Sequence, residues 1–217
     1  MIILKKALGV GHSWPNSRAG PASEPPSPRH PAHRVEFMAD EATSSKQRLR
    51  EVLHRGFESK DLDYKAACAW AEADKASCCA IVKDILAMAN TLGGYLVIGV
   101  SESNDRCVWE GLTSDQVQSF ETTRVNRFLQ NYADPPISTR LIRLEDDGRS
   151  FVIIEVPRFP DTPHLCQRDY PGALAAGALY VRTASNESAP VRASADFRIV
   201  LEQAVRNRSD TPADRCN

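Results

Sequence analysis

The sequence predicts a soluble domain of the α/β or α+β class, and three stretches carry that prediction. In residues 78–100, CCAIVKDILAMANTLGGYLVIGV, the residues Ile81, Ile85, Met88 and Leu92, flanked by Val82, Leu86 and Ala89, recur at helical spacing and define one buried face. Gly93-Gly94 ends this helix, because glycine accepts the left-handed conformation that a helix C-terminus often requires. The run from Tyr95 to Val100 is short, apolar and β-branched, which makes it a central strand. The second stretch opens on Thr113-Ser114-Asp115-Gln116, a capping box whose hydroxyl and amide side chains satisfy donors at a helix start. Val117, Phe120, Val125, Phe128 and Leu129 give that helix its apolar side to about residue 132, before Pro135-Pro136. The third is a hairpin, strands 137–144 and 150–156 about the turn Asp146-Asp147-Gly148.

The other elements follow in order. Residues 1–40 hold Pro15, Pro21, Pro25, Pro26, Pro28 and Pro31 with little apolar content after Val10, too little to offset the entropy of ordering, so disorder is expected there. Met38 opens Ala39-Asp40-Glu41 directly before the first helical pattern, a position suited to a translation start. The apolar start of the chain is broken by Lys5-Lys6 and lacks the full apolar region of a signal peptide. Ser44 or Ser45 caps a helix to about residue 55, with Leu49, Val52 and Leu53 on one face and Gly56 as its stop. Strand 62–70, helix 75–92, strand 94–100, a polar turn at 101–106 and a short returning strand at 107–111 come next. A loop over 157–177 leads to strand 178–183, and Ser194 caps a last helix over 195–207. The domain is thus expected over 41–208, with a frayed tail at 209–217.

Composition narrows the class. A length of 217 residues with 42% hydrophobic content suits one well-buried domain, and a net charge of -1 excludes a strongly basic nucleic-acid coating protein. Lysine stops at Lys83, and every later cation is an arginine, Arg124, Arg127, Arg140, Arg143 and Arg182 among them. Either codon usage favours arginine, or guanidinium forks serve to bind phosphate oxygens in pairs. Arg124, Arg127 and Arg182 are the candidate nucleic-acid contacts. The six cysteines, Cys68, Cys78, Cys79, Cys107, Cys166 and Cys216, form neither a C-x-x-C pair nor a disulfide framework, which suits a reducing cytoplasm. No run approaches the ~20 apolar residues of a spanning helix, so no membrane partner is expected.

The richest chemistry precedes the central helix, in Glu58-Ser59-Lys60-Asp61-Leu62-Asp63-Tyr64-Lys65. On a strand of period two, Asp63 and Lys65 project from one face. A carboxylate beside a lysine can hold a divalent cation while the ammonium stabilises charge developing on a phosphate. Glu58 can reach the same point, and Glu102, just past the central strand, is the available third carboxylate. The alternative is that Glu58 and Asp63 are solvated acids at a strand edge, one of them paired with Lys65. Arg182 binds phosphate or pairs with Glu155 on a neighbouring strand, and Asn90 caps backbone groups near the helix end. His164-Leu165-Cys166 is half a zinc site without a second half, since Cys78-Cys79 lies on the central helix, so a surface histidine and a semi-buried thiol are expected.

The ordered set Asp63-Tyr64-Lys65, Ala87 to Val100 (A-x-x-N-x-x-G-G followed by a strand ending I-G-V), Ile154-Glu155-Val156-Pro157 and Tyr180-Val181-Arg182-Thr183 resembles the AlbA_2 domain of Schlafen-type proteins over about 46–192. The resemblance implies an α+β fold with a mixed or antiparallel sheet and packed helices. It also implies, for members that cut RNA, metal-binding acids at Glu58 and Asp63 and a third after the I-G-V strand, where Ser101-Glu102 stands in place of an acidic pair. Asp63 is shorter than the family's usual glutamate, and Ala184 replaces the glycine normally found after the arginine. The expected function is nucleic-acid binding, to RNA or single-stranded DNA, with metal-dependent cleavage through Glu58, Asp63 and Glu102, assisted by Lys65 and using Mg²⁺ or Mn²⁺. A noncatalytic regulatory binding module is the alternative, and an ATP-binding domain the weaker third: Gly93-Gly94 lacks the G-x-x-x-x-G-K-S/T spacing and precedes a strand. A homodimer would enlarge the binding surface.

Overall fold

The computed structural model describes residues 44–103 and 106–210. The expectations for residues 1–40, for Met38 and for 211–217 lie outside the described residues. Helix α1 covers 44–53, followed by strand β1 (Leu62–Lys65), helix α2 (Lys75–Ala89), β2 (Gly94–Ile98), β3 (Val100–Ser103) and β4 (Arg106–Trp109). Helices α3 (Ser114–Ser119) and α4 (Thr122–Gln130) come next, then β5 (Ala133–Asp134), β6 (Arg140–Asp146), β7 (Arg149–Val156), β8 (Leu165–Cys166), β9 (Tyr180–Arg182), β10 (Ser188–Pro190) and α5 (Ser194–Asp210). The fold is α+β.

The main sheet has the order β1-β2-β7-β6. β1 runs parallel to β2, with Leu62 opposite Tyr95 and Lys65 opposite Ile98, and the other pairings are antiparallel. Because side chains alternate across a strand, the apolar run of β2 feeds two cores. Leu96 and Ile98, with Val152 and Ile154 of β7, pack against Ile81, Ile85 and Met88 of α2 and against α4. Tyr95, Val97, Phe151 and Ile153 on the opposite face pack against Leu49, Val52 and Leu53 of α1. The central strand is therefore buried on both sides. A third cluster joins Phe159, Val181 and Val200, seating α5 on β9.

Several boundaries differ from expectation. β1 stops at Lys65 rather than near residue 70, since Ala66-Ala67-Cys68-Ala69 has weak strand propensity and Trp70 turns into the core, edge-on to Phe128 at 5.4 Å. The capping box at Thr113 forms, but the helix breaks at Phe120, whose extended backbone sends its ring inward beside Trp70. Helix α2 ends at Ala89, so Leu92 is exposed rather than part of the buried face. Gly93 has φ of 68° and donates to the Met88 carbonyl, closing the helix. A Cβ on Gly94 would stand 2.1 Å from the Asp61 carbonyl oxygen, because the Asp61 backbone passes against it to accept from the Tyr95 amide. The expected hairpin turn is present, with Asp147 and Gly148 both at positive φ. Strand β8 arises within the stretch read as loop, and β10 within 184–193, where no element was expected.

Candidate functional site

β1 delivers Asp63 and Lys65 to the α2 side of the sheet and turns Tyr64 the other way, where its hydroxyl donates to carbonyls of α1. Lys65 Nζ lies 2.7 Å from Asp63 Oδ2 and 3.0 Å from Asp84 Oδ2, an acid supplied by α2. From β9, Arg182 Nη1 donates to Asp63 Oδ1 at 2.9 Å, and Nη2 donates to the Ser59 carbonyl at 3.3 Å. Glu58 completes the cluster: its Oε1 accepts from the Tyr64 amide at 3.1 Å, and its Oε2 lies 4.0 Å from Arg182. The five charges line a cleft of about 720 Å³ between β1, α2 and the β9–β10 hairpin.

Asp63 and Arg182 are almost fully enclosed, 2% and 4% exposed, and neutralise each other at short range. Burial works against the Lys65 ammonium, yet the carboxylates of Asp84 and Asp63 outweigh it and hold the lysine protonated far above its ordinary range. Glu58 is the acid left over. Burial raises its pKa, the Asp63 charge raises it further, and the Tyr64 amide, Lys65 and Arg182 compensate only in part. Its side chain borders the cleft and stays partly open to solvent, at 36% exposure.

The sequence-derived set is therefore regrouped. Glu58, Asp63 and Lys65 come together. Glu102 instead lines a neighbouring hollow of 440 Å³, with Tyr64 and Cys107, and among the described residues Glu58, Ala66 and Asn186 border both spaces. Asp63 is not a solvated edge acid, and Arg182 is paired with Asp63, not with Glu155, which binds Arg140 at 2.7 Å. Asp84 escaped the sequence reading. It interrupts the apolar stripe of α2 three residues after Ile81 and four before Met88, and a charge within a buried stripe was the signal. Arg124 and Arg127 stand exposed on α4.

The donor set suits a divalent cation poorly. Such an ion takes about six oxygen ligands, whereas both Asp63 oxygens already face cations and Lys65 Nζ occupies the point between Asp63 and Asp84 where an ion would sit. Among the described residues, no three His, Cys, Asp or Glu side chains gather closely enough to share a metal. His164 is buried rather than at the surface and Cys166 is fully rather than half buried: His164 Nδ1 meets the Pro135 carbonyl and the Cys166 thiol donates to the Arg168 carbonyl. Asn90 binds backbone beyond its own helix, donating to the carbonyls of His164 and Tyr180 and accepting from the His164 amide.

The sequence of residues 58–190 matches the family model described as Schlafen, AlbA_2, more than half of the chain. The chain belongs to the Schlafen AlbA_2 family. The match begins at Glu58 and ends at Pro190, so it includes the whole Glu58–Asp63–Lys65–Asp84–Arg182 cluster and leaves α1 and α5 outside. No curated protein matches the sequence. Two solved structures are similar to it: the DIP2311 protein from Corynebacterium diphtheriae (14% identity, 67% of this chain and 24% of that one, TM-score 0.46), and the N-terminal domain of a RecG-related protein from Nitrosomonas europaea (16% identity, 69% and 95%, TM-score 0.40). The chain thus spans about a quarter of the first structure's length. Among the described residues no helix is long and apolar enough to cross a membrane.

Proposed function

We propose that this AlbA_2 protein is a nucleic-acid-binding module that takes RNA or single-stranded DNA through the arginines of α4. The observation that carries this reading is a pair of acid-free arginines one turn apart on α4, whereas other exposed arginines without an acid, such as Arg106, Arg149, Arg168 and Arg192, are isolated in sequence. Arg50, Arg55, Arg140 and Arg182 are each committed to an acid. Arg124 and Arg127, one turn apart on α4, are exposed and have no acidic partner among the described residues. Arg143 adds a third guanidinium at the foot of that helix, donating to the Phe120 carbonyl at 3.3 Å. Guanidinium forks without acids are suited to phosphate oxygens. The described cysteines are all free, which agrees with work in the cytoplasm.

One observation favours cleavage as a second reading. Glu58, with its raised carboxyl pKa, opens onto both hollows beside Lys65, the placement of a proton-transfer group. Labelled tRNA and single-stranded DNA separate the two readings. For the binding module, retention is lost at least tenfold in the double variant Arg124→Ala/Arg127→Ala, with no cleavage in Mg²⁺, Mn²⁺ or EDTA. Cleavage under any of these conditions that disappears in Glu58→Gln would establish the nuclease instead.

A further inference from the structure

Helix α5 lies beyond the family match and presents two unlike faces. Val200, with Ala204 beside it, packs on Phe159 and Val181. Phe197, Leu201 and Val205, at four-residue steps, form a stripe left open to solvent, 49%, 47% and 68% exposed. Ile199, 63% exposed, stands apart from them on the far side of this 17-residue helix, and three large apolar side chains in line are more than the scattered exposure usual for a monomer.

We propose that this stripe docks a second copy of the chain, α5 against α5 in antiparallel sense. The stripe is symmetric about Leu201, with apolar residues four positions to either side. A two-fold axis at Leu201 therefore sets Phe197 against Val205 of the second copy and Leu201 against its own counterpart, the self-complementary arrangement that two-fold symmetry demands. The flanking charges agree. Arg198 and Glu202 lie on the flank turned away from Val200, at 100° per residue, and both are exposed. In the antiparallel pair each Arg198 comes within about 3 Å along the axis of Glu202 of the second copy, on a rise of about 1.5 Å per residue, so two opposite-charge contacts frame the apolar seam. A single helix pair buries less than the ~800 Å² per partner of a standard interface, so the association is weak and concentration-dependent.

Sedimentation equilibrium of the full chain over a range of concentrations tests this. The expected result is a monomer–dimer equilibrium, abolished by Leu201→Glu while the thermal unfolding curve stays in place, because Leu201 is half exposed. Arg198→Glu, which puts like charges together, weakens the dimer about tenfold, and Arg198→Glu/Glu202→Arg restores it to within about threefold. A chain that stays monomeric at every concentration overturns the proposal, whether the stripe is bare or covered by another part of the chain. So does a dimer indifferent to Leu201→Glu.

Discussion

At the scale of single residues, the cluster around Asp63 couples stability to the site. Arg182→Ala leaves the Asp63 carboxylate buried without its nearest guanidinium, and breaking such a pair costs about 3–5 kcal/mol; urea unfolding should show a loss of that size. Replacing both partners by apolar residues, Asp63→Leu/Arg182→Met, should recover most of it, since the desolvation cost disappears along with the attraction. Glu58 behaves in the opposite sense. Its pKa is raised above the ordinary 4.5 in the folded state, so its ionisation weakens the fold above that raised value, and the penalty vanishes below about pH 4, where the unfolded chain is protonated too. Glu58→Gln should therefore raise the melting temperature at pH 7 and leave it unchanged at pH 3.5. A melting temperature lowered at pH 7 would contradict this account. The shared strand face of Asp63 and Lys65 was legible from the period of two. The partners of Arg182 were not, because the 119 residues separating it from Asp63 hide a contact that only the β9–α2 packing creates.

At the scale of elements, the chain was most legible where backbone chemistry is local. The Thr113 capping box, the Asp147-Gly148 turn and the helix–glycine–strand unit all follow from residues within a few positions of one another. The break at Phe120 was not legible, since the ring leaves the helix to meet Trp70, fifty positions earlier in the chain. Thr113→Ala should cost about 1 kcal/mol, the usual worth of an N-cap side chain, with the helix content by circular dichroism little changed. Gly94→Ala should be far worse. Its methyl would stand inside the Asp61 carbonyl contact and push β1, with Asp63 and Lys65, away from β2. The expected outcome is poor yield or a melting temperature lowered by more than 10 °C, on the scale of about 2–4 °C per kcal/mol for a domain of this size.

At the scale of the whole molecule, the net charge of -1 conceals a division of labour. Lys65 and the buried Arg182 neutralise Asp63 and Asp84 of the cleft, while the exposed arginines on α4 stand without acids. The arginine count suggested phosphate binding, but only burial separates Arg124 and Arg127 from Arg182. The most direct test is the salt dependence of affinity for a short single-stranded RNA. Each phosphate contact on a single strand contributes about 0.7 to the slope of log K against log salt. Arg124→Ala/Arg127→Ala should make that slope shallower by about 1.4 while the melting temperature holds. An unchanged slope and affinity in that variant would contradict the claim that α4 carries the nucleic-acid contacts.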